Sequence, residues 1–413
     1  MGDLTGLGTG LGILSACIWL GLLTLRGGFW RARPRLEVSS TPQPAGDWPT
    51  IWAVIPARNE ASLLPATLRS LLQQDYPGRF EICLVDDQST DETQAVALQV
   101  ATSLGKDNAL RVITTPPLPP GWSGKLWAMH TGIQTALEAA APQEPDYFLL
   151  TDADIFHDPD NLRSLVSKAQ AEQLDLVSLM VLLRCKSLWE RLLIPAFVFF
   201  FQKLYPFAWV NRRDKAMAAA AGGCILVRAQ VLAQAGGIEV IRSALIDDCA
   251  LAAAIQSTPD PATSEPHRGI WLGLTTATRS LRPYEGLGSI WSMVARTAYT
   301  QLDYSPGLLV GAVLGMILVY LAPPLLCGWG LLVGKGGLAI SGLIPWASMT
   351  LAYLPTLRLY QLSPLWAITL PGVALLYNLM TLDSARRHWQ GKGGAWKGRV
   401  YPMSGEDHQT QTP

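Results

Sequence analysis

The chain is poor in charge. Asp, Glu, Lys and Arg make up 15% of its 413 residues, against roughly 25% in ordinary soluble domains, so part of it is built for an apolar environment. Neither sign is in excess: 32 basic residues balance 32 acidic ones, which leaves no basic field for nucleic acid. Its six cysteines (Cys17, Cys83, Cys185, Cys224, Cys249, Cys327) are scattered, with no CxxC pair. That argues against a disulfide framework or structural zinc and for reduced, buried thiols. Internal repeats are absent. What the chain has instead is an apolar excess near both ends, flanking a middle of ordinary globular composition.

Residues 4–25 are almost uncharged and long enough for a hydrocarbon core of roughly 30 Å. Arg26, Arg31, Arg33 and Arg35 follow, whereas only Asp3 precedes. Basic residues stay on the cytoplasmic side, so the amino terminus is expected outside and the middle of the chain in the cytoplasm, at the inner membrane of a cell. A cleaved signal peptide would carry its basic residues first. A second apolar region reads as three spans, 308–333, 338–354 and 364–382, the first kinked by Pro323 and Pro324. Three crossings put the tail outside, yet Arg386, Arg387, Lys392, Lys397 and Arg399 favour the inside, so one span is a candidate re-entrant hairpin. Residues 192–209 are apolar and aromatic but broken by Pro195, Lys203 and Pro206, a pattern expected to lie in the headgroup layer.

From residue 50 to about 281, apolar runs alternate with helical patterns. Strands are expected at 52–55, 81–85, 110–114 and 147–150, and helices at 62–73, 90–103 and 125–139. The alternation predicts an α/β fold: a mostly parallel sheet with helices on both faces. Ligands then bind outside the carboxyl ends of the strands. Linkers are expected at 39–46 and 257–268.

The chemistry-bearing residues fall at those strand ends. Asp152-Ala-Asp154 directly follows the strand 147–150. Two carboxylates there suit a hard divalent cation completed by phosphate oxygens; a turn or helix cap is the competing explanation. Asp86-Asp87-Gln-Ser-Thr-Asp91 ends another strand, with acids suited to a base N–H and ribose hydroxyls, while Ser89 or Thr90 capping the next helix is an equal account. Asp247-Asp248 opens an apolar helix, placed for a general base or for simple capping. Lys125, after Gly124 at a helix start, suits phosphate, or only solvent. Arg296, on an amphipathic helix expected over 286–302, suits a leaving diphosphate, or snorkels to headgroups.

In this order on one α/β framework, the motifs resemble the inverting family 2 glycosyltransferases, which have the GT-A fold. The resemblance covers about 50–303. Val54-Ile-Pro56-Ala-Arg-Asn-Glu60 resembles the family's opening strand and turn, which implies donor contacts from Pro56 and Glu60. Asp86 and Asp87 match its nucleotide-binding acids, and Gly124-Lys125 its Gly-Lys motif. Asp152-Ala-Asp154 matches its metal motif, with Asp154 the more direct ligand of Mg²⁺ or Mn²⁺. Asp247-Asp248 matches the acidic pair whose second member is the base, and Arg296 the Arg of QxxRW, where Met293 and Thr297 replace Gln and Trp. Arg58 stands where many members carry an aromatic residue.

Residues 26–30 (Arg-Gly-Gly-Phe-Trp), 293–302 and 396–401 are further similar to the hopene-associated glycosyltransferases of bacteria. That resemblance implies a nucleotide-sugar donor, a lipid acceptor and a link to hopanoid biosynthesis. The expected organisation is an anchor and basic linker at 1–47, a catalytic domain at 48–285, an interfacial helix at 286–306, membrane spans at 307–382 and a polar basic tail at 383–413. Two rival readings stand beside it. A nucleotidyltransferase would carry a Gly-rich loop after the first strand, which Pro56-Ala-Arg-Asn-Glu60 is not. An inactive membrane scaffold would have no need of three acidic motifs.

Overall fold

The computed structural model describes residues 2–36, 47–259, 269–391, 395–396 and 399–400. The expected linker 39–46, residues 260–268 of the second linker, and Lys392, Lys397 and 401–413 of the tail lie outside them. The chain forms two compact units. One gathers Pro34–Arg184, Trp209–Pro283 and Gly394–Pro413; the other gathers Met1–Arg33, Cys185–Ala208 and Tyr284–Gly393.

The first unit is built on eight strands: β1 (Ile51–Ala57), β2 (Phe80–Asp86), β3 (Leu110–Thr114), β4 (Tyr147–Thr151), β5 (Ile155–His157), β6 (Leu176–Leu182), β7 (Cys224–Arg228) and β8 (Ile270–Ser280). Their order is β3-β2-β1-β4-β7-β6-β8-β5. β3, β2, β1 and β4 are parallel neighbours, as are β6 and β8. β7 runs antiparallel between β4 and β6, and β5 antiparallel on the edge. The expected mostly parallel sheet is therefore present.

Near-continuous apolar runs suit strands covered on both faces. Ile51, Ala53 and Ile55 pack with Leu64, Leu68 and Ala97 from helices on one face. On the other face lies helix Gly124–Ala140, whose Gly132 sits against β1 and β2: a Cβ there would come 2.5 Å from Val54 and 2.7 Å from Val85. Only glycine permits that approach, and it brings the amino end of the helix, with Lys125, toward the strand ends.

The second unit is helical. Five helices among the described residues are long and apolar enough to cross a membrane: Leu4–Leu25, Leu188–Val210, Pro306–Leu332, Gly336–Leu359 and Pro364–Trp389. The disturbance expected at Pro323 and Pro324 takes the form of a π-helical turn, Ile317–Leu321, directly before them. Pro323 has no N–H to offer the Val319 carbonyl; the Trp19 indole donates to it instead, at 2.9 Å. Close approach of small residues pins the neighbours. A Cβ on Gly342 would lie 2.5 Å from the Cys327 backbone nitrogen, and one on Gly12 2.5 Å from Ser341.

The last helix, Leu370–Trp389, runs antiparallel to Pro306–Met316. Ala385 packs with Leu309 and Tyr299, and Asn378 reaches the Val313 carbonyl at 3.5 Å. Its contacts along Pro306–Leu332 centre on Pro306–Met316 and the π-turn, which lies near the middle of that segment.

Candidate active site

The carboxyl ends of β1, β2 and β4 lie side by side, and β7 begins opposite Thr151. That edge collects the acids expected from the sequence, in two sets that are satisfied differently.

The first set follows β2. Asp86 and Asp87 are buried, 2% and 1% exposed. Asp86 accepts from the Ser89 amide at 3.2 Å and from Gln94 Nε2 at 2.7 Å. Asp87 is held by Arg58, whose Nη1 donates to its carbonyl at 2.5 Å and its carboxylate at 3.3 Å, and by the Thr115 hydroxyl. Ser89 and Thr90 do not cap the following helix, Thr93–Ser103; they pair with Asn59, and Asp91 accepts from the Thr93 amide instead. Burial opposes it, but the Thr93 hydroxyl and the amides of Ala61 and Thr93 hold the Asp91 carboxyl below its ordinary range. Asn59 and Gln88 take left-handed φ values of 54° and 53°, folding the two turns onto each other.

The second set spans three segments. Lys125 Nζ sits 3.0 Å from Asp152 Oδ1 and 3.0 Å from Asp247 Oδ2, so it is neither solvated nor free. Burial works against the ammonium, but the two carboxylates outweigh it and raise its pKa. Asp248 turns the other way and accepts from the amides of Gly222 at 2.9 Å and Cys249 at 2.8 Å. Its helix, Asp247–Ser257, has no side-chain cap, so capping is not what this pair does. Burial first, then the Asp247 charge, push the Asp248 carboxyl up to about 6, against the pull of Lys125. Asp152 is also raised, by burial first, with Lys125 opposing and Asp154 and Asp247 adding. Asp154 accepts from Ser280 Oγ at 2.6 Å, and Arg282 Nε approaches the same oxygen at 3.3 Å. Pro56, Lys125, Asp152, Gly222, Asp247 and Asp248 line one cavity.

A buried chain of hydrogen bonds anchors the second set. Thr278 donates to Asn161 at 2.9 Å, Asn161 meets His157 Nδ1 at 3.0 Å, and His157 Nε2 meets Thr151 at 3.0 Å. Thr151 then donates to the Gly223 carbonyl at 2.8 Å. Burial pushes His157 down to about 3, so it is neutral, with one ring nitrogen donating and one accepting. The chain fixes Thr151 and Gly223, next to Asp152 and Gly222. A larger cavity, about 910 Å³, opens at the amino ends of β1 and β4, but its Arg228 is paired with Asp175 and it lies at the end of the sheet opposite the usual ligand side.

Residues 52–236 match the family model described as glycosyl transferase family 2. The match supports a family 2 glycosyltransferase. The mannosyltransferase PcManGT from Pyrobaculum calidifontis, solved with GDP-Man and Mn²⁺, has a TM-score of 0.51 at 19% identity, covering 92% of this chain and 99% of that one. TarS of S. aureus (TM-score 0.38, 16% identity, 60% and 40% covered) and glucosyl-3-phosphoglycerate synthase of Mycobacterium tuberculosis (0.37, 17%, 62% and 79%) are also similar. No curated protein matches the chain. The fold is GT-A-like, with apolar helices at both ends of the chain.

For a glycosyltransferase of this family, the edge brings together Pro56, Glu60, Asp86, Asp87, Lys125, Asp152, Asp154, Asp247 and Asp248. Arg296 belongs to the helical unit, on the exposed side of helix Leu287–Thr297, and makes no ion pair among the described residues. Among the described residues no group of three or more His, Cys, Asp or Glu is placed to hold a metal ion. Asp152 and Asp154 thus offer two carboxylates, a set that fits a divalent cation completed by phosphate oxygens and water rather than a closed cage. Sequence reasoning singled out Arg58 but not its pairing with Asp87, and missed Ser280 and Arg282. Arg282 pairs with Glu60 at 2.5 Å as well as with Asp154. A clue was in the text: Thr278-Arg-Ser-Leu-Arg282 closes a long apolar strand with two cations.

Proposed function

We propose that the chain is a membrane-bound, metal-dependent, inverting glycosyltransferase that moves a sugar from a nucleotide-sugar donor to a lipid acceptor in hopanoid biosynthesis. The observation that carries this reading is the arrangement around Lys125, which ties the metal motif at Asp152 to the acidic pair at Asp247. Asp248, next in the chain, is left bonded only to amides, with a raised pKa. A carboxylate of that kind is placed to take the proton of an acceptor hydroxyl as it attacks the anomeric carbon. A single displacement from the opposite face inverts the configuration. Asp86 and Asp87 orient the nucleoside, supported by Arg58, and Pro56 and Glu60 complete that wall. Lys125 adds positive charge where the diphosphate leaves, with Arg296 as a second candidate. A divalent cation, Mg²⁺ or Mn²⁺, would be held by Asp154 with Asp152 beside it and would stabilise the leaving diphosphate. The GDP-Man and Mn²⁺ bound to the Pyrobaculum mannosyltransferase make that pair the first donor and ion to try.

The apolar helices of the helical unit support membrane attachment. Helix Leu188–Leu204 leaves after β6 and the chain returns in β7, its hydrogen-bonded neighbour. Residues 211–223 are too few for a return crossing, which takes about 20 residues, and this favours reading the segment as interfacial. The last helix packs along the first half of Pro306–Leu332, which favours a segment that enters and leaves on one side. Three crossings remain: Leu4–Leu25, Pro306–Leu332 and Gly336–Leu359. On that count Arg26, Arg31, Arg386 and Arg387 would share the cytoplasmic side, as the preference of basic residues for that side asks.

The test is incubation of membranes containing the protein with a panel of nucleotide sugars and Mn²⁺, followed by lipid mass spectrometry. A lipid gaining one hexose, with release of nucleoside diphosphate, is the expected result. Release of pyrophosphate would favour nucleotidyl transfer instead, and no turnover or binding of any donor would favour the scaffold.

A further inference from the structure

Arg282 has no part in the scheme above, yet it sits between two carboxylates at the edge. It follows β8 and reaches two carboxylates through different nitrogens. Nη2 holds Glu60 Oε1 at 2.5 Å, while Nε stands 3.3 Å from Asp154 Oδ2. The first contact is short and made to a residue 4% exposed; the second is longer. About a third of the Arg282 side chain is open to solvent. Asp154 keeps other ties that do not depend on Arg282: the Ser280 hydroxyl at 2.6 Å and the Leu281 amide on its carbonyl at 2.9 Å. Asp154 would therefore stay oriented if the guanidinium moved away. Lys125 differs, because it bridges Asp152 and Asp247 at equal distances of 3.0 Å and has no second, stronger anchor to retreat to.

We propose that Arg282 is a built-in stand-in for the divalent cation: it neutralises Asp154 while no ion is bound, yields that carboxylate to the ion, and then, still anchored on Glu60, turns its free edge to the donor's diphosphate. This rests on the glycosyltransferase reading of the site. The chemistry is that of the guanidinium fork. One edge can stay on a carboxylate while the other N–H groups meet phosphate oxygens, which an ammonium cannot do. A carboxylate as enclosed as Asp154 is costly without a counter-charge, so a resident cation keeps the empty site stable. The same cation must oppose binding of a bare metal ion and favour binding of the metal together with a diphosphate.

Opposite signs make the idea testable. Binding of Mn²⁺ alone, read by electron paramagnetic resonance on the full chain in detergent, is expected to tighten about fivefold in Arg282→Ala, the worth of one partly exposed ion pair. Binding of UDP or GDP in the presence of saturating Mn²⁺ is expected to weaken by a similar factor. Arg282→Lys retains the charge and guards against a folding defect; it should lie between the two. Unchanged or weaker binding of Mn²⁺ alone in both variants overturns the proposal, since a merely structural arginine would lower both affinities. Wild-type protein that binds neither UDP nor GDP with Mn²⁺ counts against the glycosyltransferase reading, whereas the Mn²⁺-only comparison still judges Arg282.

Discussion

The two acidic sets at the strand ends differ in what holds them. Asp86 and Asp91 are satisfied largely by backbone amides and by neutral side chains within a few residues. Asp152, Asp154 and Asp247 are held by the side chains of Lys125 and Arg282, which come from other segments. Amide donors are fixed by the fold and cannot leave, so Asp86 and Asp91 form a preorganised surface for neutral hydrogen-bonding groups, whereas Asp87 of the same set is held by the Arg58 guanidinium. Cationic side chains can be displaced by a stronger cation or drawn to an incoming anion, so the second set is built to be rearranged by charge. Asp248 belongs to the second set by position but to the first by partners, and that mixed character is what suits it to gain and lose a proton.

The largest expected effect breaks this comparison at Asp248. Asp248→Asn keeps the shape and one acceptor but removes the base. Turnover should fall by about a thousandfold, while binding of nucleoside diphosphate with Mn²⁺ and the thermal midpoint stay close to wild type. Near-normal sugar transfer in a folded Asp248→Asn protein would remove Asp248 from the role.

Next come two substitutions that move the same proton in opposite directions. Asp248 must be ionised to act, and its pKa is raised to about 6, so kcat/KM should rise with pH through about 6. Lys125→Met deletes the charge that lowers that pKa, so the acid limb should move to higher pH, with turnover reduced about tenfold or more through lost phosphate contact. Asp247→Asn deletes the charge that raises it, so the limb should move below 6. Rate profiles between pH 4.5 and pH 8 at saturating donor and metal, pH values chosen as roughly bracketing the limb, would expose the wrong assignment if both limbs moved the same way.

How much of this was legible in the chain depends on the distance over which each feature is built. β1, β2 and β4 could be read because a strand buried on both faces is a short apolar run, and the acids that end them follow within three residues. Gly124-Lys125 could be read as a helix start, but not as an ion pair, because Asp152 and Asp247 come from β4 and a later helix. The pairing of Arg282 was invisible for the same reason: its firmest partner, Glu60, is 222 residues away. The antiparallel β7 was unread because Cys-Ile-Leu-Val-Arg has no period that separates a strand from a helix. In the helical unit, composition gave apolar length but not the partner of each helix: that Leu370–Trp389 packs beside Leu309 and Val313 is set by tertiary contacts.

The smallest effect sharpens the comparison from the side of the first set. Gln94 joins Asp86 at 2.7 Å to Thr114 at 2.9 Å, so it is part of the neutral frame around a buried carboxylate. Gln94→Ala removes one donor but leaves the Ser89 amide on Asp86. A loss of about 1 kcal/mol in stability follows from one such bond, read as a drop of a few degrees in the thermal midpoint in detergent. If the two sets are independent, the acid limb of kcat/KM should stay where it is, because no charge near Asp248 has changed. A limb that moved with Gln94→Ala would mean that the amide-held and cation-held acids are coupled through the shared sheet edge, and the division drawn between them would fail.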